Sequence, residues 1–167
     1  MAESRLAFRA VVPGDRTALE RMHRRCSEAT RYHRFQTRGP GLPESYLDTV
    51  LSESAGATSI LATDGPPDHR RVVALAGMAP VSPGVAELGV LVEDGWQRRG
   101  IGRLLVRQLV GIGRGQALHA LTAQTLTTRR WILGLLRDEV GGAVSYGPMS
   151  DTVRITAFLE PVGERCG

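Results

Sequence analysis

The chain contains no lysine and no asparagine, and only 5% of its 167 residues are aromatic. All 21 basic residues are therefore arginine, and with 17 acidic residues the net charge is +4. Both absences are typical of a GC-rich genome, so the excess of arginine does not by itself indicate nucleic-acid binding. Nucleic-acid-binding domains usually cluster basic residues on one face with aromatic residues between them, whereas these arginines are scattered along the chain. We therefore expect no nucleic-acid partner.

Long apolar runs and regularly spaced metal-binding residues are also missing. No run approaches the ~20 apolar residues that a membrane-spanning helix needs, and the first residues lack the basic-then-apolar layout of a signal peptide. The two cysteines, Cys26 and Cys166, and the four histidines show no spacing typical of a disulfide framework or a metal site. We therefore expect a cytoplasmic protein with free thiols, no metal and no membrane contact. The length predicts one domain, residues 1–167.

The most informative segment runs from Glu87 to Val106. An apolar run over residues 85–92 predicts a buried strand, residues 93–95 predict a turn, and Gln-Arg-Arg-Gly-Ile-Gly at 97–102 opens a helix with apolar periodicity. The first N–H groups of a helix lack intrahelical acceptors, and the helix dipole favours an anion there. Glycines let the backbone approach a phosphate closely, and arginine offers paired donors to its oxygens. The segment therefore predicts a pyrophosphate-binding turn.

Two common phosphate-binding loops do not fit this segment. A Walker loop requires a Lys-Ser/Thr pair after its second glycine, but Gly102 is followed by Arg103 and Leu104. A dinucleotide-binding fingerprint requires three glycines spaced G-x-G-x-x-G, and no third glycine follows Gly100 and Gly102 at that spacing. Both classes of nucleotide site are therefore excluded for this turn.

The segment Gln97-Arg98-Arg99-Gly100-Ile101-Gly102 resembles the acyl-coenzyme A loop of the GNAT superfamily of N-acetyltransferases, Gln/Arg-x-x-Gly-x-Gly/Ala, at every fixed position. Residues 24–35 look like the segment S-x-x-S/T-R-Y-x-R-F in the GNAT domains of Pat-type protein lysine acetyltransferases. Residues 126–140 look like the segment in which those proteins carry V-L-x-x-N-x-x-M. The resemblance extends over roughly residues 5–160 of this chain.

Periodicity and turn signals predict a single α+β domain. The expected strands cover residues 6–12, 58–62, 72–78, 85–92, 117–126, 143–146 and 153–159. One expected helix follows Asp15, its N-cap candidate, and the other three cover residues 44–51, 100–112 and 128–140. This order matches the GNAT-like fold that the resemblance implies, a mixed and mostly antiparallel sheet of about seven strands flanked by about four helices. In that fold strands four and five splay apart, and the pantetheine arm of the coenzyme lies between them. Gly89 in strand four fits equally a bulge that starts the splay and a glycine required by packing.

The core-facing positions of the last two helices follow from the same periodicity. For the helix at 100–112 they are Ile101, Leu104, Leu105, Gln108, Leu109 and Ile112, and for the helix at 128–140 they are Trp131, Ile132, Leu135 and Leu136. Tyr146 is expected in the core of the sheet. Arg107 is expected on a solvated helix face.

The resemblance implies acetyl-CoA as co-substrate and assigns the residues that hold it. The backbone amides of Val90, Leu91 and Val92 are expected to hold the pantetheine and the thioester carbonyl. The pyrophosphate is expected on Gln97, Arg98, Arg99, Gly100, Ile101, Gly102 and Arg103. Thr128 stands near the place where relatives carry an asparagine that contacts the coenzyme, and this departure, Thr127-Thr128-Arg129, puts the usual contact in doubt.

Glu87 is the candidate catalytic residue. Acyl transfer from a thioester to an amine requires that the amine lose a proton and that the oxyanion be stabilised. In Pat-type relatives a glutamate at the matching place acts as the general base. A carboxylate within a mostly apolar strand is expected to be desolvated, which favours its protonated form and suits a base. The alternative is a structural carboxylate that pairs with an arginine or faces solvent.

These observations favour an acetyl-CoA-dependent N-acetyltransferase whose acceptor is a primary amine, and the segment at 24–35 favours a protein lysine ε-amine. A small amine is the alternative acceptor. A non-catalytic acyl-CoA-sensing module is the alternative function, because many relatives use a tyrosine of the fourth helix as general acid and residues 128–140 contain none. His33 is expected to line the acceptor site or to lie on the surface. The chain is expected to be a monomer or a homodimer.

Overall fold

The computed structural model describes residues 6–52, 56–128 and 131–160. Its strands are β1 (Ala7–Ala10), β2 (Thr58–Asp64), β3 (Arg71–Ser82), β4 (Val85–Val92), β5 (Ala120–Leu126), β6 (Val144–Met149) and β7 (Thr152–Phe158). Its α-helices are α1 (Arg16–Arg25), α2 (Glu28–Phe35), α3 (Glu44–Leu51), α4 (Ile101–Gly115) and α5 (Trp131–Val140). Two residues named from the sequence, Arg129 at the start of the predicted fourth helix and Cys166, lie outside the described residues.

The seven strands form one mixed sheet in the order β1-β2-β3-β4-β5-β7-β6. All neighbouring strands are antiparallel except β4 and β5, which run parallel. Helix α4 connects these two strands, since a parallel pair requires a crossover connection. The predicted α+β fold with a mixed, mostly antiparallel sheet is thus confirmed.

Strands β4 and β5 separate soon after they begin. Their pairing covers three positions, from Val85 opposite Ala120 to Glu87 opposite Thr122. Beyond this fork, β4 continues in register with β3 and β5 continues with β7. The expected splay is therefore present, and in the described chain the β5-facing edge of residues 88–92 has no strand partner.

Two apolar clusters cover the two faces of the sheet. One packs α4 and α5 on the strands, and its fully buried members include Leu105, Leu109, Leu121, Leu136 and Ile155. The other packs α1 and α3 on the opposite face, with Leu19, Met22, Leu47, Leu75 and Leu91. Each fully buried side chain of this size contributes roughly 1.5–3 kcal/mol to folding. These clusters fix the helices that carry the walls of the cleft described below.

The described chain has five α-helices where about four were expected, because the first helix is interrupted at Cys26 and Ser27 and a second helix begins after them. Cys26 takes an extended conformation, with φ −69° and ψ 144°, and ends α1. The Ser27 hydroxyl accepts a hydrogen bond from the Thr30 N–H at 3.2 Å and caps α2. Serine is a favoured N-cap because its oxygen satisfies an N–H that the helix leaves unpaired. Cys26 is therefore a buried residue between two helices, not a residue within one.

Several predicted core positions are exposed instead. Helix α4 buries Ile101, Leu105, Val106, Leu109, Val110 and Gly113, so its buried face is rotated from the predicted one and Leu104 is 40% exposed. Trp131 is 52% exposed because the first turn of α5 borders the cleft. Tyr146 is 59% exposed because β6 is the outermost strand of the sheet. Within the described ranges, no helix is long and apolar enough to span a membrane.

Candidate active site

A cleft of about 810 Å³ lies at the opening between β4 and β5. Its walls come from β4, β5, α2, α5 and the turn that leads into α4. They include Glu87 and nine of the residues predicted to hold the coenzyme, namely Val90, Leu91, Val92, Gln97, Arg98, Gly100, Ile101, Gly102 and Arg103. The structure therefore brings the proposed base and the predicted coenzyme-binding segment into one cavity.

The coenzyme turn, residues 97–103, directs the first turn of α4 toward the cleft. Gly100 has φ 79°, a conformation that glycine adopts without strain, and a Cβ there would contact nothing within 4 Å. The first helical hydrogen bond of this segment runs from the Leu104 N–H to the Gly100 carbonyl, at 3.0 Å. The N–H groups of residues 101–103 therefore have no acceptor within the helix. This arrangement fits the phosphates of a coenzyme.

The Gln97 side chain holds the coenzyme turn in place. Its amide donates hydrogen bonds to the Val92 carbonyl at 3.0 Å and to the Thr30 hydroxyl at 3.1 Å. These bonds join the turn to the end of β4 and to α2. The side-chain amide of Gln97 thus positions the coenzyme turn in this chain.

Asp94 provides a second link between the coenzyme turn and α2. Its carboxylate accepts hydrogen bonds from the Ser27 N–H at 2.8 Å, the Ser27 hydroxyl at 2.6 Å and the Thr30 hydroxyl at 2.9 Å. Burial raises the pKa of Asp94, but the hydrogen bonds from Ser27 and Thr30 outweigh it and hold the pKa below its ordinary value. Sequence reasoning missed this link, although Ser27 and Thr30 are both fixed positions of the family-like segment.

Glu93, also missed from the sequence, holds the end of β4. It is buried, and its two carboxylate oxygens pair with Arg25 at 3.0 Å and Arg71 at 3.1 Å. Arg25 also donates to the Val72 carbonyl at 2.6 Å. The strand that borders the cleft is therefore fixed by charged side chains from α1 and β3.

Two predicted coenzyme ligands lie outside the cleft walls that the described residues form. The Arg99 guanidinium stacks on the Trp96 ring, 4.9 Å from its centroid. Thr128 is exposed in the turn after β5. Both side chains neighbour wall residues, but neither faces the cavity in this structure.

Arg103 lines the cleft but is held by α5. Its guanidinium pairs with Asp138 at 2.9 Å and Glu139 at 3.0 Å, and Glu139 also pairs with Arg107 at 2.9 Å. The hydrogen bond that Arg103 donates to Asp138 raises the pKa of Arg103, so it stays charged. Because Asp138 also lines the cleft, an anion bound there would compete with this carboxylate for one guanidinium. Arg107 lies on a solvated face of α4, as expected, and there it belongs to this ion-pair cluster.

Glu87 lies at the fork, on the last pair of parallel positions, opposite Ala79 of β3 and Thr122 of β5. Its side chain is exposed in the cleft, so the desolvation expected from the apolar strand pattern is not present. Glu87 lies on the same face of β4 as Gly89, which α2 contacts through Arg34, but its side chain is left open to the cleft. Among the described residues it forms no ion pair, so the structure gives no support to a carboxylate paired with an arginine, whereas the exposure of Glu87 agrees with the solvent-facing alternative.

Helix α2 forms the opposite wall, with His33, Arg34 and Phe35. Gly89 pairs regularly with Gly77, and the irregularity between β3 and β4 lies at Pro80–Ser82, so Gly89 is not a bulge. A Cβ at Gly89 would instead overlap the Arg34 guanidinium. Of the two explanations for this glycine, close packing is therefore the one that the structure supports.

The profile of the Acetyltransferase (GNAT) family matches residues 18–137, a segment that includes Glu87 and the whole coenzyme turn. The chain belongs to this family. Acetyltransferases of the GNAT family use acetyl-CoA to acetylate amines, so the chain is assigned as an acyltransferase. A comparison with curated protein sequences gives no match.

Solved structures share the GNAT fold with this chain. The GNAT domain of PAT from S. lividans has a TM-score of 0.77 at 18% identity, over 93% of this chain and 90% of that one. Spermidine N-acetyltransferase from Vibrio cholerae, in complex with CoA and spermine, has a TM-score of 0.69 at 12% identity, over 93% and 96% of the chains. A cAMP-binding acyltransferase from Mycobacterium smegmatis has a TM-score of 0.60 at 24% identity, over 94% of this chain and 44% of that one. At these identities the likeness shows the fold alone.

Proposed function

We propose that this GNAT-family acetyltransferase moves an acetyl group from acetyl-CoA to the ε-amine of protein lysines, with Glu87 as general base. The observation that carries the proposal is the position of Glu87 at the fork, in the same cleft as the coenzyme turn. The lysine acceptor is supported by the segment Ser27–Phe35, which resembles Pat-type proteins, and by the similarity in fold to the S. lividans PAT domain.

The cleft has the groups that acetyl-CoA requires. The pantetheine arm is a chain of amides, and the free edge of residues 88–92 offers it backbone donors and acceptors. The pyrophosphate is anionic, and the first N–H groups of α4 together with Arg98 and Arg103 suit it. Arg99 and Thr128 belong to this proposal only as peripheral contacts, because neither faces the cavity.

Glu87 would act on the incoming amine. A lysine amine is mostly protonated near neutral pH, since its pKa is about 10.4, and only the neutral amine has a lone pair for the thioester carbon. The exposed carboxylate at the fork can take that proton directly or through a water molecule. The structure offers no tyrosine on the described part of α5 to protonate the leaving thiolate, and a thiolate leaves without one.

A small cationic amine is the second candidate acceptor. Two carboxylates, Glu87 and Asp138, line the cleft and would attract such a substrate. The fold is also shared with a spermidine N-acetyltransferase. This acceptor class uses the same base and the same coenzyme-binding residues.

The test is release of the coenzyme A thiol from acetyl-CoA with a panel of protein and small-amine acceptors. We expect release with a lysine-containing protein, and at least tenfold slower release in Glu87→Gln, since a general base contributes roughly 10²–10⁴ in rate. Glu20→Gln is the matched control, because that glutamate lies on α1 and makes only a surface ion pair with Arg16. Coenzyme binding without release for any acceptor would contradict the proposal and indicate a sensing module.

A further inference from the structure

Arg34 occupies a distinctive place in the cleft. It lies on the last turn of α2, and its guanidinium fills the space that a side chain at residue 89 would take. Residue 89 is two positions beyond Glu87 and therefore on the same face of β4. It also lies just past the fork, in the part of β4 whose β5-facing edge is free. The guanidinium is thus placed at the base of the opening between the strands.

Arg34 forms no ion pair with any described carboxylate, Glu87 in the same cleft included. The guanidinium lies 4.9 Å from the ring centroid of Phe35 and 5.0 Å from that of Tyr46. Such contacts hold a guanidinium in position without removing its charge. Its Nε atom is buried and has no hydrogen-bond partner in the described chain. By contrast, Arg103 and Arg107 both pair with carboxylates.

The coenzyme phosphates are not the partner that Arg34 lacks. The coenzyme turn follows Val92, three residues farther along β4, which corresponds to about 10 Å at 3.3 Å per residue. The acceptor amine is not the partner either, since it arrives as a cation. A negatively charged oxygen near the acyl group is the remaining partner in an acyl transfer that takes place beside Glu87.

We propose that Arg34 is an anion-binding residue at the acyl end of the cleft, and that the oxygen it binds is the oxyanion of the acetyl-transfer step. This inference rests on the proposed function. In the step, Glu87 takes the ammonium proton, the lone pair of the resulting neutral amine forms the N–C bond, and the carbonyl π electrons move onto oxygen. The oxyanion then re-forms the carbonyl and the C–S bond breaks. The thiolate of coenzyme A leaves and takes up the proton from Glu87, and the second proton on nitrogen passes to water.

The arrangement serves this step because the guanidinium is positioned before charge develops. A donor held in place by neighbouring groups needs no reorganisation when the oxyanion forms, which is the main advantage of such sites. The rings of Phe35 and Tyr46 exclude water from one side of Arg34, and weaker screening strengthens its attraction for an anion. Gly89 completes the site, because any side chain there would displace the guanidinium.

The test is binding of two coenzyme A derivatives by calorimetry. S-carboxymethyl-CoA carries a carboxylate close to the coenzyme sulfur, and S-carboxamidomethyl-CoA is its neutral counterpart of the same size. We expect the protein to bind S-carboxymethyl-CoA at least about tenfold more tightly than the neutral derivative, because one hydrogen bond to a charged group contributes that much to affinity. Arg34→Gln should bind both equally while its affinity for coenzyme A itself is unchanged. Arg38→Gln, an exposed arginine stacked on Tyr32, is the control that should keep the preference.

A second variant keeps the test decisive if Arg34→Gln fails to fold. Gly89→Ala retains the arginine but pushes its flexible end away, and we expect it to lose most of the preference. Equal binding of the two derivatives by the wild type, or a preference that survives in Arg34→Gln, would overturn the inference. Tighter binding of malonyl-CoA than of acetyl-CoA that is lost in Arg34→Gln would also overturn the inference. Arg34 would then recognise a carboxylate of the acyl group rather than the oxyanion. No binding of coenzyme A to the wild type would instead contradict the proposed function.

Discussion

Glu87 on β4 and Arg34 on α2 lie on the same side of the sheet, yet only Glu87 could be given a role from the sequence. Glu87 stands in an apolar run just before the coenzyme turn, which is a local pattern. The importance of Arg34 depends on α2 crossing Gly89, and this contact joins residues 55 positions apart in the chain. A pattern in a single segment carries no information on such contacts. For the same reason the exposure of Glu87 was predicted wrongly.

Asp138 is the residue whose removal should strengthen coenzyme binding. It lines the cleft and pairs with Arg103, so it repels phosphates and competes for their guanidinium. We expect Asp138→Asn to bind coenzyme A about two- to fivefold more tightly, since an exposed ion pair is worth about 0.2–1 kcal/mol. Calorimetry at low and high salt measures the effect, which should shrink as salt screens the charges.

Asp68, in the turn between β2 and β3, provides the control for this change. Asp68→Asn removes the same charge at a distance from the cleft and should leave coenzyme affinity unaltered. Weaker binding in Asp138→Asn would show that the carboxylate orients Arg103 for the phosphates rather than competing with them.

At the scale of elements, α2 is held to the coenzyme turn through Asp94. Because hydrogen bonds from Ser27 and Thr30 keep the pKa of Asp94 below its ordinary value, this carboxylate stabilises the fold when it is ionised. That stability is fully present above the unfolded pKa of about 3.9 and is lost as the pH falls through the folded value.

We therefore expect Asp94→Asn to unfold at lower urea concentration than the wild type at pH 7, with the difference shrinking in acid below about pH 4. Urea unfolding followed by circular dichroism at several pH values measures it. Asp48→Asn, on α3, is the control substitution of the same type. A difference between wild type and Asp94→Asn that stays constant down to pH 3 would show that the ionised carboxylate is not the stabilising form.

The boundaries of some elements could be predicted and others could not. Strand β4 was predicted at 85–92 and is observed at Val85–Val92, because its apolar run ends at polar turn residues on both sides. The break between α1 and α2 was missed, although Ser27 is a favoured N-cap, because helical residues continue on both sides of it. The buried face of α4 was misassigned at Leu104, since valines and a glycine also face the core.

At the scale of the molecule, the splayed sheet determines where chemistry can occur. Strands β4 and β5 are paired at three residue positions, and beyond these the two strands separate and the cleft opens between them. The sequence indicated this splay only through its resemblance to the GNAT family, since local periodicity does not show which strands pair or where pairing stops. The family profile over residues 18–137 and the shared fold agree with that expectation.

The most direct measurement of the central claim is amide hydrogen exchange with and without coenzyme A. If the coenzyme lies between β4 and β5, peptides that cover residues 88–92 and 98–103 should exchange more slowly in its presence, because the free edge of β4 and the first turn of α4 gain partners. Exchange in β1 and β2, at the far side of the sheet, should not change. Protection elsewhere, with none at these two segments, would contradict the placement of acetyl transfer at the fork beside Glu87.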